Sequence, residues 1–378
     1  MLKLTYITYQ VFPNEKANTL QTIRMLESLS SLGANSQLIF PDRGYLENDS
    51  ETIKNFYDIK EEFKISKYSH KLPFNKINLK KLEKINFLIS SFIWSLIAVK
   101  KYFRTITKDE IIMTRTHWVL YFASNYKNKI IYECHKFSKI DNFIFKRLKF
   151  NENLIVIFPN EELQKKFNLS GVLSENTLIL QSAFDEKFYP SNELQKVKNK
   201  VIFVGNLLRF NDSRNLEFLI NTFHDARLEN FKLSIIGGPN KVAEQLKFSL
   251  SKNTIAVGRL SQKDAIKEMA SAEIGLLIND GSQVHSYLYT SPIKYFEYLR
   301  ARLKILAVDF PSHRNLPLNK NNFYFAEDNK EDFIKKLIEA SNTKFYNEEG
   351  LEKYSYNSRT KKLLDHIARL EGLEPPTL

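Results

Sequence analysis

Ser291, Pro292, Lys294 and Glu297 stand close together within Thr290–Leu299, and their types suit the opening of a helix that meets an anion. Serine is a favoured N-cap residue and proline suits the first helical position. The free backbone N–H groups beyond them, at the positive end of the helix dipole, form a site for phosphate. Lys294 adds charge there, and Glu297, about one and a half turns in, can accept hydrogen bonds from ribose hydroxyls. The same residues also fit an ordinary capped amphipathic helix with Ile293, Phe296 and Leu299 inward. Physical chemistry alone leaves both readings open.

Further candidates follow apolar runs. His135 comes after Ile130–Glu133, at the expected carboxyl end of a strand, where a lone histidine either supports the structure or reaches a ligand. Arg115 and His117 follow Ile111–Thr114 and could hold an acceptor or a phosphate, again beside a structural alternative. Other chemistries lack their residues. No Gly-x-Gly-x-x-Gly follows a strand, so a nicotinamide-type dinucleotide site has little support. No Gly-x-Ser-x-Gly elbow supports a hydrolase triad. The one cysteine, Cys134, excludes an internal disulfide framework and a multi-cysteine zinc site.

The elements that would position these residues alternate. Strand patterns run at Leu2–Tyr9, Gln37–Phe40, Ile111–Thr114, Ile130–Glu133, Leu154–Phe158 and Leu178–Gln181. A second series runs at Val201–Val204, Leu233–Gly237, Thr254–Val257, Gly275–Ile278 and Ile305–Val308. Helical patterns lie between them, as at Leu20, Ile23, Leu26 and Leu29, closed by Gly33 as a C-terminal cap. Ser261 with Asp264 is a capping arrangement for the helix carrying Ile266, Met269 and Ala270. The alternation predicts an α/β fold with parallel sheets covered on both faces. The chain's 378 residues suit two domains, and the polar stretch Pro190–Glu193 suits the linker between them. The expected division is 1–192 with a returning helix at 355–370, then 193–354, then a tail at 371–378. Such domains place ligands at the carboxyl ends of their strands, and the paired edges make a cleft.

Set in that frame, the chain resembles glycosyltransferase family 4. Ser291-Pro292-Ile293-Lys294-Tyr295-Phe296-Glu297-Tyr298-Leu299 is similar to the family's donor-binding Ser-Pro-Leu-Lys-x-x-Glu-Tyr segment. Lys16-Ala17-Asn18-Thr19-Leu20-Gln21 resembles its first loop and helix, and Thr114-Arg115-Thr116 and Tyr132-Glu133-Cys134-His135 resemble its Arg-Ser and Tyr-Glu-x-His stretches. Ala183–Pro190 is similar to Gly-Val-Asp-x-x-x-Phe-x-Pro, and Tyr354–Arg359 to the Tyr-Ser-Trp-x-x-Arg start of the last helix, which in the family crosses back onto the first domain. Each motif is weak by itself; six in the expected order, over nearly the whole chain, are specific.

The resemblance implies the GT-B type: two Rossmann-like domains whose parallel sheets face across a cleft, the first binding acceptor and the second a nucleotide-sugar donor. It implies retaining transfer of a sugar, of the hexosyl type, from a nucleotide diphosphate sugar to an acceptor hydroxyl, in assembly of cell-surface polysaccharide, lipopolysaccharide or glycolipid. Carried over residue by residue, Glu297 holds the ribose, the backbone near Ser291, Pro292 and Ile293 with Lys294 holds the diphosphate, and Gly205 and Asn206 end the first strand of the donor domain. Arg214 aligns with the family's lysine, Leu216-Glu217-Phe218-Leu219 following as the helix, and Arg209 precedes it; exposed loop arginines are the alternative. His135, catalytic together with Glu297, would contact the donor sugar or a developing charge. Lys16, Asn18, Thr19, Arg115 and His117 would face the acceptor. Tyr289 stands where the family commonly has a first glutamate, eight residues before Glu297, and Asp280 is the nearest acid that could replace it. A nucleotide-sugar epimerase or a non-catalytic partner subunit of the same fold are the competing readings. No Asp-x-Asp occurs, which disfavours the metal-dependent GT-A design. No cofactor or metal is expected beyond the donor itself, whose base the sequence leaves open.

The net charge of +13 calls for a polyanionic partner or reflects a solvated lysine-rich surface. No nucleic-acid module is visible. Lys64, Lys67, Lys71, Lys76, Lys80, Lys81, Lys84, Lys100, Lys101 and Arg104 stand against the single acid Glu83, with Phe63, Tyr68, Leu72, Phe74, Ile77 and Leu79 between them. Residues 64–104 therefore read as a contact for an anionic membrane surface, suited to a lipid-linked acceptor, or as a solvated loop. The apolar run Ile85–Val99 is too short to span a bilayer and reads as a core helix whose wet stripe is Lys84, Ser91 and Ser95. The N-terminus runs into a strand pattern without signal-peptide character, which predicts a cytoplasmic protein, peripheral at the inner membrane face where it meets lipid.

Overall fold

Short runs of Ile, Val, Leu, Phe and Tyr that are apolar on both sides can be buried only in a sheet covered on both faces. Ile111–Thr114, Ile130–Glu133 and Leu154–Phe158 form three such strands, and every residue in them is buried. The computed structural model describes residues 2–42, 48–70, 80–148, 151–169, 176–189, 195–209, 212–213 and 215–372, with backbone alone at 80–84, 169, 188, 209 and 212–213. The expected linker at 190–193 and Arg214 lie outside the described residues, as do Lys71, Leu72, Phe74, Lys76, Ile77 and Leu79.

The chain divides into two compact units, residues 1–181 with 356–378, and residues 182–355. Unit 1 holds β1 (Lys3–Ile7), β2 (Asn35–Asp42), β3 (Lys64–Ser69), β4 (Ile111–Thr114), β5 (Ile130–Glu133), β6 (Leu154–Phe158) and β7 (Thr177–Ile179). Its helices are α1 (Ala17–Ser31), α2 (Ser50–Tyr57), α3 (Lys80–Tyr102), α4 (His117–Ala123), α5 (Lys139–Leu148) and α6 (Glu161–Leu169). Unit 2 holds β8 (Lys200–Val204), β9 (Leu208–Arg209), β10 (Asp212–Ser213), β11 (Lys232–Ile236), β12 (Thr254–Gly258), β13 (Ile274–Leu277), β14 (Lys304–Val308) and β15 (Asn322–Phe325). Its helices are α7 (Leu216–Thr222), α8 (Asn240–Leu246), α9 (Gln262–Ser271), α10 (Ile293–Arg300), α11 (Pro311–Arg314) and α12 (Lys330–Asn342). The last helix, α13 (Tyr356–Leu370), belongs to unit 1.

Both main sheets are parallel and doubly wound. The order is β3-β2-β1-β4-β5-β6-β7 in unit 1 and β12-β11-β8-β13-β14-β15 in unit 2, so each reverses direction beside its first strand. In unit 2 one face is packed by Leu216 and Leu219 of α7 and Phe333 and Leu337 of α12, the other by Ile266 and Met269 of α9 and Tyr295 and Phe296 of α10. Gly33 follows α1 with φ +79°, and the Ser261 hydroxyl accepts the Asp264 N–H at 3.1 Å, as the sequence leads one to expect. Strands β3 and β15 were not expected. Both are edge strands, and the partly exposed, lysine-bearing β3 lacks the apolar run that marks a central strand.

A correction concerns α3. Its serines point inward: Ser91 and Ser95 are buried, while Ile85, Leu88, Ile89, Phe92 and Ile97 are exposed. The core reading of Ile85–Val99, with a wet stripe through Ser91 and Ser95, is thus reversed. Trp94, Ala98, Val99 and Tyr102 share the serines' side and supply the packing, with Trp94 donating its indole N–H to the Tyr68 carbonyl at 3.2 Å.

Unit 1 closes around a buried ion pair. Arg359 of α13 donates to Glu133 at 3.0 Å and to the Gln181 carbonyl at 2.9 Å, and the Tyr6 hydroxyl donates to the other Glu133 oxygen at 2.6 Å. Burial alone would raise the Glu133 pKa, but Arg359, His135, Arg115 and the Tyr6 hydrogen bond hold it down at about 2. A depressed carboxyl stabilises the fold above its unfolded pKa and loses that contribution as pH falls toward the folded value. Removing one partner leaves the other charged and buried, which typically costs about 3–5 kcal/mol. Glu133→Ala and Arg359→Met should each destabilise unit 1 by that order, and Glu133→Gln should flatten the loss of stability between pH about 4.5 and 2. Urea denaturation across pH checks both; variants within about 1 kcal/mol of the parent would contradict them.

Candidate functional site

In unit 2 the chain passes outward from β8 to β11 and β12, then returns to β13 on the other side of β8. Loops leaving β8 and β13 therefore part in opposite directions, and a crevice opens at the carboxyl ends of those strands. Gly205-Asn206 leaves β8 there, and α10 is the helix that follows β13.

The backbone at this edge is closely packed. The Gly205 N–H donates to the Ile236 carbonyl at 2.9 Å, and the Leu207 N–H to the Gly238 carbonyl at 2.8 Å. A Cβ on Gly237 would stand 1.7 Å from the Gly205 carbonyl oxygen, and Gly237 has φ +152°, so only glycine fits. Asn206 is exposed, its side chain accepting the Leu208 N–H at 3.3 Å, and the chain then makes the small hairpin of β9 and β10. Arg209 lies in β9 with only its backbone described.

Helix α10 starts differently from expectation. Ser291 does not cap it: its hydroxyl accepts the Ser182 N–H at 2.9 Å, and Pro292 occupies the cap position with no side-chain cap. The Ser182 hydroxyl donates in turn to the Ser291 carbonyl at 2.5 Å, so Ser291 is committed to anchoring the 182 segment. The helix start still presents Pro292 and Ile293 half-buried, with Lys294 buried. The Lys294 ammonium lies 4.3 Å from the centre of the Phe203 ring, which places its charge against β8. Glu297, one turn on, is half-buried. Burial and the negative charge of Asp185 raise its pKa to about 7, and Lys294 pulls the other way. The Glu297 carbonyl accepts the Tyr189 hydroxyl at 2.8 Å, and Arg300 lies 5.2 Å over the Tyr189 ring.

Asp280 folds its own loop, accepting the Ser282 N–H at 2.8 Å, while Glu327 accepts the neighbouring Gly281 N–H at 2.6 Å. Tyr289 ends a π-helical turn, His285–Tyr289, held by the Ser312 hydroxyl on the Ser286 carbonyl at 2.8 Å. Nothing in the sequence marked that turn. Asp185 and Phe203, which set the charge balance of Glu297 and Lys294, were also missed, since their nearness depends on packing. Gly237-Gly238-Pro239 was visible as a strand end and is the one signal that could have been used.

In unit 1 the loops after β1, β4 and β5 gather a second group. The Thr116 hydroxyl accepts the Tyr9 N–H at 3.0 Å, and Arg115 donates to the Asn18 carbonyl at 3.1 Å. Lys16 is exposed; Thr19 is buried, its hydroxyl directed at the Asn14 and Lys16 carbonyls at 2.7 Å. Burial lowers the His117 pKa, Asp141 opposing and Lys136 assisting, so its ring is neutral at neutral pH. Its buried Nε2 has no hydrogen-bond partner among the described residues. His135 is half-buried, two residues beyond Glu133, and its charge helps hold that carboxylate ionised. Among the described residues, no group of three or more His, Cys, Asp or Glu is arranged to hold a metal ion.

No protein-family model and no curated protein matches the chain in sequence. Solved structures do match over both units. Sucrose-phosphate synthase from Thermosynechococcus elongatus superposes with a TM-score of 0.71 at 12% identity, over 98% of this chain and 100% of that one. The lipopolysaccharide outer core galactosyltransferase WaaB, in its apo form, gives 0.63 at 12% identity, over 97% and 99%. HepE of Anabaena, in complex with UDP-glucose, gives 0.58 at 10% identity, over 99% and 100%. The chain has the GT-B fold. In GT-B terms unit 2 is the second Rossmann-like sheet, and Gly205, Lys294 and Glu297 all belong to it.

The electrostatics of Glu297 give a test that needs no ligand. A carboxyl whose folded pKa is raised from 4.5 to about 7 loses stability as pH rises through that window. Glu297→Gln should therefore stabilise unit 2 by about 1–3 kcal/mol at pH 8 and by little at pH 5. Denaturation at the two pH values decides it; an equal effect at both would remove the buried-carboxylate account.

Proposed function

We propose that this protein is a retaining glycosyltransferase that moves a hexosyl-type sugar from a nucleotide diphosphate sugar to an acceptor hydroxyl in cell-surface polysaccharide, lipopolysaccharide or glycolipid assembly. One observation carries the proposal. At the strand-order reversal of a GT-B unit, the start of α10, the buried Lys294 and the half-buried Glu297 follow one another on a single helix, beside the glycine-tight end of β8. A diphosphate needs N–H groups and positive charge, a ribose needs a carboxylate, and that helix offers both in order. Solved structures of the same fold include a galactosyltransferase and HepE in complex with UDP or with UDP-glucose.

In this reading the bond between the anomeric carbon and the diphosphate oxygen breaks, and the acceptor oxygen bonds to that carbon on the same face. The acceptor's proton passes to the leaving oxygen. The backbone N–H of Ile293 and the Lys294 ammonium, with Arg209 and Arg214, stabilise the charge that builds on the diphosphate. His135 acts on charge developing at the sugar, and Lys16, Asn18, Arg115 and His117 serve the acceptor. These cations do the work that a divalent ion does elsewhere.

Calorimetric titration with nucleoside diphosphates, UDP first, tests the donor site. Glu297→Ala should weaken binding by about 1.5–3 kcal/mol, the range for hydrogen bonds to a charged group. Ribose hydroxyls donate to the ionised carboxylate, so binding should release a proton below pH about 7 and tighten from pH 5 to 7 before levelling. Unchanged affinity in folded Glu297→Ala would remove the carboxylate from the site. Turnover should survive EDTA; loss restored by magnesium or manganese would overturn the metal-free reading. His135→Ala should lower turnover more than donor affinity. A variant with full turnover and only a lower melting temperature would make His135 structural.

A further inference from the structure

Helix α3 is amphipathic in the wrong sense for a surface exposed to water. Ile85, Ile89 and Ile97 leave 51%, 51% and 52% of their surface exposed, whereas Ser95 is fully buried and Ser91 nearly so. The outward stripe runs through Ile85, Ile89, Phe92 and Leu96, at three- and four-residue spacing, and ends on the exposed Lys100. It continues sideways: Phe92 meets Trp118 and Phe122 of α4 edge-on at 4.8 and 5.1 Å, and Tyr121 stacks on Phe143 of α5, which is 57% exposed. A soluble monomer rarely leaves so continuous an apolar strip in water, so something covers it.

The charges around the strip select the occupant. Lys100 and Lys101 are exposed at its end, Lys146 and Arg147 flank Phe143, and the whole chain carries +13. A second copy would bring this positive rim against itself, whereas an anionic bilayer complements it. No helix among the described residues is long and apolar enough to cross a membrane, so α3 would lie in the interface plane. Tyr121 and Trp118, apolar rings with a polar edge, suit that depth.

We propose that the exposed face of α3, extended by Phe143, docks on an anionic lipid surface, with Ile85, Ile89, Phe92 and Ile97 entering the headgroup boundary and the lysines meeting the lipid charge. This keeps the anionic-surface contact read for residues 64–104 in the sequence but turns the apolar run 85–99, read there as core, toward the lipid, and it does not depend on the donor chemistry.

The chain has two tryptophans: Trp118 meets Phe92 of the strip, and Trp94 packs on the inward side of the same helix, so tryptophan fluorescence reports on α3 and α4. With vesicles of phosphatidylglycerol and brominated phosphatidylcholine at low salt, the protein should sediment with lipid and its emission should be quenched. Pure phosphatidylcholine should give little of either. Ile85→Ser/Ile89→Ser/Ile97→Ser should lower partitioning at least about tenfold. Lys100→Glu/Lys101→Glu should lower it about 25-fold or more, from about fivefold per lost charge. Circular dichroism should show both variants folded, since all five side chains are exposed. The proposal is overturned if wild type stays in the supernatant with anionic vesicles, if the serine variant partitions like wild type, or if light scattering shows a dimer that the serine substitutions dissolve.

Discussion

The structure of unit 1 depends on the buried contact of Arg359 with Glu133. A carboxylate with almost no solvent exposure survives there only because its two oxygens are matched, one by the guanidinium at 3.0 Å and one by the Tyr6 hydroxyl at 2.6 Å. The guanidinium uses a second N–H on the Gln181 carbonyl and a third on the Met25 sulfur at 3.2 Å. Five elements thereby share one set of polar groups: β1, β5, α1, α13 and the chain after β7. The geometry also fixes the backbone from which His135 projects.

Unit 2 solves a different problem, which is how to hold buried charge close to a crevice. Lys294 is held against the face of Phe203, an arrangement that tolerates burial, and its charge favours the ionised form of Glu297. Glu297 lies one turn further, where burial and Asp185 keep it near the point of protonation. Glu297 therefore gains from a ligand that donates hydrogen bonds to its ionised form. The glycine pair at 205 and 237 allows the two strand ends to close without side chains in the way.

Much of this was legible in the sequence, because parallel central strands read as unbroken apolar runs. Ile111–Thr114, Ile130–Glu133 and Leu154–Phe158 fall where their patterns end. The edge strands β3 and β15 did not read, since a strand with one free edge and partial exposure has no such run. The order Ser-Pro-Ile-Lys-x-x-Glu predicted a helix start, and α10 begins there, yet the role of Ser291 was misjudged: its engagement with Ser182 joins residues 109 apart. Asp185 and Phe203 were hidden for the same reason. Helix α3 misled most. Its period was plain, but periodicity says which residues share a face and not which face turns inward, and here Ser91 and Ser95 were assigned to the wrong one.

The central claim is that a GT-B chain with this α10 uses nucleotide sugars as donors. The direct measurement is incubation of the purified protein with a panel of nucleotide diphosphate sugars, following freed nucleoside diphosphate by chromatography and the anomeric proton of the sugar by NMR. The account predicts that one donor is consumed by transfer or slow hydrolysis, with nucleoside diphosphate released and the sugar first appearing in the donor's own anomeric configuration. A folded protein that leaves every donor intact, or that only isomerises the sugar while it stays attached to the nucleotide, would contradict it.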